Sequence, residues 1–449
     1  MLSDVIAALA TPPGQSALAV LRLSGSGAFD VAGAVLSPFE PEPARTARVS
    51  RAAHPDNGEV LDELVYVPFR GPHSYTGEDM VEISTHGGVL VPSEVFAALL
   101  AAGAREALPG EFTRRALLNG KLDLIQAEAI GDLVAATTPV QRRAALGQIE
   151  RNLSSQIAGL RESVLQLESL CCYEIDFPEE DSGPVPPEKI DVFIETIIES
   201  LAELLETADD GERLRNGALC VIAGRPNVGK STLFNALLGK DRAIVTPQPG
   251  TTRDAIEASV SIGGYPFRLV DTAGLRSTSD VVEGLGVEVS RRYLDEADIV
   301  LFCVEATAES SEVEAITTDR AAPLLVARTM SDLVSARELP PEEPGVVHVS
   351  AVTGEGLGGL RDELVGSMFS ALYGSRSDQP IVTRARQRVA LEKAIAEMGD
   401  FKTARASGIE TVVAATHLRA AVTVLETIVG AVSPEDVLER VFSDFCVGK

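Results

Sequence analysis

The sequence predicts a multidomain α/β chain: an amino-terminal α+β domain, a helical bundle, and a domain on a mainly parallel sheet inserted between two helical flanks. Three observations lead there. At 449 residues the chain exceeds what one hydrophobic core ordinarily organises. Apolar runs of strand length fill residues 1–118, and stretches with apolar positions three and four apart follow. The helical texture returns at the far end, after a region where strand-like and helix-like runs alternate.

In residues 1–118, Ala17 to Gly25 (ALAVLRLSG), Glu59 to Phe69 and Asp79 to Thr85 read as strands, and Val89 to Ala102 has helical spacing. Residues 119–210 form the first helical flank, with helices over Leu122 to Ala136, Val140 to Cys172 and Ile190 to Glu206; a proline-rich acidic linker occupies Phe177 to Glu188. Residues 380–449 form the second flank, helical over Val389 to Met398, Glu410 to Val429 and Pro434 to Phe442. The last of these starts with Ser433 as N-cap, Pro434 at the first helical position and Asp436 in the capping-box place. Between the flanks, residues 217–375 alternate strand runs (Leu219 to Ala223, Phe267 to Val270, Ile299 to Val304, Leu324 to Ala327, Val346 to Val349) with helical stretches, the mark of a parallel sheet with crossover helices. A domain whose ends lie close together can be inserted in this way, leaving the flanks free to form one bundle.

Composition narrows the function classes. Apolar content of 45% and charged content of 23% are those of a soluble globular chain, with no uninterrupted apolar run near the roughly 18 residues of a membrane span. Met1 to Ala10 lacks the basic start and small-residue cleavage site of a secretory signal, so a cytoplasmic location is expected. The five cysteines include no CxxC pair, and the adjacent Cys171 and Cys172 on an apolar helix read as buried thiols. A net charge of −27 repels phosphate backbones and argues against an autonomous, non-specific nucleic-acid binder; any RNA contact is local or shared with a partner.

The strongest motif follows strand Leu219 to Ala223. Gly224-Arg225-Pro226-Asn227-Val228-Gly229-Lys230-Ser231, then the helical Thr232 to Leu238, is the strand, GxxxxGK[ST], helix context of a phosphate-binding loop. Its glycines let backbone N–H groups close on a β-phosphate, Lys230 bridges β- and γ-phosphates, and the Ser231 hydroxyl ligates magnesium. Further on, Asp271-Thr272-Ala273-Gly274 ends a strand; its aspartate suits the outer shell of magnesium and Gly274 the γ-phosphate. Gly250-Thr251-Thr252-Arg253-Asp254 precedes it, with Thr252 placed for direct magnesium ligation. Together the three motifs specify a GTPase.

Base choice departs from the NKxD pattern of such enzymes. Thr329-Met330-Ser331-Asp332 keeps the carboxylate that accepts N1–H and the exocyclic amine of guanine, while Thr329 replaces an amide and Met330 keeps only apolar packing. Ser350-Ala351 matches the backbone motif that meets the base oxygen. Guanine selectivity with weakened affinity is expected.

These motifs (GRPNVGKS, GTTRD, DTAGLR), the terminal Phe445-Cys446-Val447-Gly448-Lys449, and ATPPG, LRLSG, YTGED, THGG and LPGEFTRRALLNGKLDLIQAEA nearer the start resemble the MnmE (TrmE) family of tRNA-modification GTPases. The resemblance spans the whole chain. It implies a homodimer joined through an amino-terminal folate-binding domain, and a heterotetramer with the FAD-dependent flavoprotein MnmG. Together these add an aminomethyl or carboxymethylaminomethyl group to C5 of a tRNA wobble uridine, using a 5-formyl or 5,10-methylene tetrahydrofolate carbon. It assigns folate contacts to Arg22, Glu82, Lys121 and Lys449, and potassium contacts to Asn227, Thr246, Gln248 and Thr251. It makes Glu283 the group that positions the attacking water, since Leu275, after DTAG, cannot hydrogen-bond it. Cys446 stays open between a buried small hydrophobe and a nucleophile. His86, in THGG, suits turn geometry better than catalysis. The alternative is a GTP-switched ribosome or protein assembly factor, but the tail after Gly374 offers no KH-type GxxG appendage.

Overall fold

The computed structural model describes residues 4–176, 186–239, 257–272, 292–308, 322–335, 339, 343–370, 380–430, 435–443, 445 and 448. They group into two compact units, Met1–Gly131 with Glu426–Lys449, and Asp132–Leu425.

The first unit is built on a seven-stranded sheet in the order β3-β4-β5-β6-β2-β1-β7. Its strands are β1 (Ile6–Leu9), β2 (Gly14–Ser24), β3 (Leu36–Ser37), β4 (Arg48–Ala53), β5 (Val60–Phe69), β6 (Met80–Gly88) and β7 (Arg105–Glu106). Alternation along β2, β5 and β6 turns Leu21, Leu23, Leu64, Tyr66, Val81 and Ile83 to one face, where Val31, Ala32, Val95 and Leu99 of helices Ala28–Val35 and Leu90–Ala101 close the core. The central strands were legible as apolar runs; β4 was not, because RVSRAA holds a single strong strand former and its pairing with β5 is what orders it. Helix Glu111–Leu118 inserts Phe112 beside Ile6, Ala8 and Met80. It also carries Arg115 and Glu111, 1% and 5% exposed, into an ion network with Glu78 and the more exposed Asp4 and Arg105. The terminal helix Glu435–Ser443 packs Leu438 and Phe442 on Leu124 and Ala127.

The second unit holds a six-stranded sheet in the order β13-β12-β11-β8-β10-β9. Here β8 (Ala218–Gly224), β10 (Tyr265–Asp271), β11 (Ile299–Glu305), β12 (Leu324–Thr329) and β13 (Val346–His348) are parallel, as expected. β9 (Glu257–Ile262) is the addition, antiparallel to β10 through Gly263 and Gly264 at positive φ. A Gly-Gly between two alternating runs is a hairpin signal present in the sequence.

The same unit contains helices from both flanks. Pro187–Glu206 packs on Asn152–Asp176 and on Ala385–Ala406, and Arg388–Asp209, Lys402–Glu195 and Arg419–Glu168 ion pairs tie the first flank to the second. Where one helix is expected over Val140 to Cys172, two form, Pro139–Ile149 and Asn152–Asp176, separated at Arg151, whose φ is 70°. No glycine or proline stands between the two helices. Pro139–Ile149 opens with a full capping box, Thr138 and Gln141 bonding each other's backbone. Thr411–Val429 is long and apolar enough to span a membrane by length and composition, yet its buried residues Ala414, Leu418, Ala421, Leu425 and Ile428 form the one-sided stripe of a bundle helix. The expected N-cap Ser433 lies outside the described residues.

Candidate functional site

β8 sits at the centre of the second sheet, paired with β10 on one side and β11 on the other, and its carboxyl end opens into the loop before helix Lys230–Leu238. Backbone geometry fixes the residue types there. A Cβ on Gly224 would run into the Cys303 carbonyl, so only glycine lets the loop leave the strand between its neighbours. Asn227 and Gly229 follow in the left-handed region, at φ 64° and 83°, turning successive N–H groups toward the helix start.

Lys230 is 6% exposed, and its ammonium donates to the Arg225 carbonyl at 2.6 Å, folding the side chain over the loop. The Ser231 hydroxyl donates to Asp271 Oδ2 at 2.7 Å, which joins the helix start to the end of β10. Thr272 Oγ1 donates to the Ile222 carbonyl at 2.9 Å and ties the end of β10 to β8. Thus Asn227, Val228, Gly229, Lys230, Ser231, Asp271 and Thr272 share one end of the sheet. A magnesium nucleotide fits this set: two hard oxygen donors, Ser231 and Asp271, sit together beside a glycine cradle at a helix N-terminus. Thr232 is exposed in the first turn of the same helix.

The residues expected to recognise the base cluster at the ends of β12 and β13. Thr329 is buried, and its single hydroxyl proton faces two carbonyls, Val228 at 2.5 Å and Val304 at 2.9 Å. Met330, at φ 60°, brings its Cε to 3.4 Å from where a Cβ on Gly229 would lie. Asp332 is exposed on the short 3₁₀ turn Ser331–Leu333, free to meet a base edge. Ser350 is buried and structural: its hydroxyl accepts from Thr353 N–H at 3.1 Å and its own N–H donates to the Glu355 carbonyl, which fixes Ala351 beside it. Cys220 and Cys303 lie under the site, and burial pushes both thiols up to about 12, so neither is a nucleophile. Thr246, Gln248, Thr251, Thr252, Ala273, Gly274 and Glu283 lie outside the described residues.

In the first unit, β2 and β6 pair Arg22 directly opposite Glu82, and Arg22 Nε donates to Glu82 Oε1 at 2.9 Å. Arg22 Nη1 donates to the Gly448 carbonyl at 3.1 Å, and the guanidinium lies 5.9 Å from the centre of the Tyr75 ring. A Cβ on Gly448 would crowd Ala10, so chain start and chain end meet at this sheet position. Lys121 is placed at the neighbouring 72–77 loop, where its ammonium donates to the Pro72 carbonyl at 2.8 Å. Tyr75, within the YTGED motif, adds an aromatic ring beside Arg22. Burial raises its hydroxyl above the ordinary tyrosine value, against the opposing pull of the Thr113 hydrogen bond and the Arg22 charge. An aromatic face, a carboxylate and an arginine suit a pterin, which stacks and offers N–H groups. Cys446 and Lys449 lie outside the described residues. His86 lies within strand β6 and not at the expected turn; its Nδ1 is 2.7 Å from Asp62 Oδ1 and its backbone N–H donates to Asp62 Oδ2 on β5.

Two family models match this chain, that of the "GTP-binding protein TrmE N-terminus" over residues 5–121 and that of the "MnmE helical domain" over residues 124–446. The chain belongs to the MnmE (TrmE) family. Curated members named "tRNA modification GTPase MnmE" agree: the Aquifex aeolicus protein is 40% identical and the Moorella thermoacetica protein 40%, each match covering 100% of both chains. The Heliobacterium modesticaldum MnmE is 41% identical, again over 100% of both. The G domain of the T. maritima FeoB iron transporter, 28% identical over 33% of this chain and 98% of its own, has a TM-score of 0.25 and adds nothing to the assignment.

Proposed function

We propose that this chain, a GTP hydrolase of tRNA modification by family, is the potassium-dependent GTPase subunit of a wobble-uridine C5 modification enzyme. Its reaction adds an aminomethyl or carboxymethylaminomethyl group, with a tetrahydrofolate one-carbon unit as donor, and it works as a homodimer with the FAD-dependent MnmG on tRNA, in the cytoplasm. The observation that carries the GTPase half is the Ser231–Asp271 hydrogen bond of 2.7 Å beside the glycine loop, since it joins the two oxygen donors that a magnesium nucleotide requires. Supporting the folate half is the Arg22–Glu82 pair with Tyr75 alongside, a donor and acceptor set matched to a pterin.

In this reading Lys230 and the loop N–H groups bind the phosphates, Ser231 and Thr252 hold magnesium, and Asp332 selects guanine. Asn227, Thr246, Gln248 and Thr251 hold potassium, whose charge beside the β- and γ-phosphates offsets charge that develops in hydrolysis. Glu283 orients water. Arg22, Glu82, Lys121 and Lys449 hold the folate, and Cys446 stays open between a buried small hydrophobe and a nucleophile. The decisive experiment is mass analysis of wobble uridines in tRNA from cells lacking this chain. Loss of the C5 group supports the reading; unchanged nucleosides overturn it and return the chain to the assembly-factor alternative.

A further inference from the structure

In the second unit the chain passes between sheet and helices twice, at residues 214–218 and 380–384, and one carboxylate touches both crossings. Asp132 Oδ1 lies 3.3 Å from Arg215 Nε and 2.7 Å from Arg384 Nη2. Arg215 is in the last turn of helix Ala208–Asn216, which runs directly into β8 and the phosphate loop. Arg384 is the N-cap residue of Ala385–Ala406 in the second flank.

One helix grips both crossings around that carboxylate. From Pro139–Ile149, Gln141 Nε2 donates to the Arg215 carbonyl at 3.3 Å. Gln148, only 4% exposed, uses its amide on the Ile381 carbonyl at 3.0 Å and on Thr383 Oγ1 at 3.1 Å. The same helix sends Val140 and Ala144 against the core of the nucleotide-binding sheet. A cavity of about 150 Å³, lined by Asp132, Gln148, Leu214 and Thr383 among others, opens beside the bridge.

One carboxylate oxygen has lone pairs for both guanidinium groups, so Asp132 accepts from the two at once and bridges the crossings. Here the Arg384 contact is short and charge-assisted and the Arg215 contact long. We infer that Asp132 is a positioning residue that couples the nucleotide site to the helical flanks by bridging Arg215 and Arg384 through one carboxylate oxygen. The inference rests on the GTPase reading above. It needs no continuous relay, because the shared carboxylate is itself the element that both sides bias.

The test is hydrogen exchange by mass spectrometry on the full chain, with GDP and with a non-hydrolysable GTP analogue, for wild type, Asp132→Asn and Asp132→Glu. In wild type the amides of 139–149 and 385–406 should exchange about threefold differently in the two nucleotide states. Asp132→Asn should erase that difference while binding fluorescent GDP within about twofold of wild type, and Asp132→Glu should restore it. If Asp132→Asn does not fold, Arg384→Gln removes one end of the bridge and should erase the difference in the same way. A variant that folds and keeps the wild-type difference overturns the coupling, as does a nucleotide-binding wild type that shows none. Failure of the wild type to bind either nucleotide would instead overturn the GTPase reading.

Discussion

The Thr329 hydroxyl reaches the Val228 carbonyl of the phosphate loop at 2.5 Å, so the base-recognition segment and the phosphate loop are joined by a single proton that the Val304 carbonyl, at 2.9 Å, also faces. A hydroxyl can serve one of these carbonyls at a time; the two N–H groups of an asparagine can serve both. Thr329→Val, which removes the proton, should therefore speed GDP dissociation about fivefold, the effect of one ordinary hydrogen bond. Thr329→Asn with Met330→Lys should slow it. Stopped-flow release of fluorescent GDP checks both, and ATP competing as well as GTP would refute the role of Asp332.

Ser231 and Asp271 are expected to act as one magnesium-binding unit. Ser231→Ala and Asp271→Asn should each reduce GTP hydrolysis about a hundredfold, and the double variant should fall little further. Steady-state phosphate release over a magnesium titration reads this. Fully additive losses would separate the two residues.

Replacing sodium by potassium at constant ionic strength should raise GTP hydrolysis about tenfold or more, because a cation beside the β- and γ-phosphates acts where an arginine otherwise does. Glu283→Ala should lose most turnover and keep nucleotide binding. Equal rates in the two salts would remove the cation from the mechanism, and a fully active Glu283→Ala would remove the glutamate.

Calorimetry of 5-formyltetrahydrofolate on the full chain should lose about 2 kcal/mol, roughly thirtyfold in affinity, when Glu82→Ala removes a charged hydrogen-bond acceptor. Tyr75→Ala should weaken binding as well, since the ring lies beside the Arg22–Glu82 pair. Undiminished binding by Glu82→Ala would refute the pocket.

Glu111 links acid stability to the ion network. Burial pushes its carboxyl up, but hydrogen bonds from Arg105, the Leu108 N–H and Arg115 more than offset that and leave it below the ordinary glutamate value. With the folded value below the unfolded one, the stabilisation is present above roughly pH 4.3 and is lost as pH falls through the folded value. Glu111→Gln should cost about 3 kcal/mol at pH 7, because it strips a charge partner from the buried Arg115, and should flatten the loss of Tm on acidification. Thermal melts from pH 7 to pH 3 test it; parallel curves for the two proteins would exclude Glu111 as the titrating group.

Local signals in the sequence determined the phosphate loop, the five parallel strands and the helical flanks. Strand formers, glycines at fixed offsets and 3.6-residue spacing act between near neighbours in the chain, so they can be read in order. Only the tertiary structure decided that Arg22, Tyr75, Glu82 and Gly448 meet, since a sheet register and the return of the chain end bring them together. It also decided the break at Arg151, which no glycine or proline announces, and the sharing of Asp132 between Arg215 and Arg384. Each of these depends on groups far apart in sequence whose approach releases packing and hydrogen-bond energy only after the chain has folded, and local spacing carries no record of that energy.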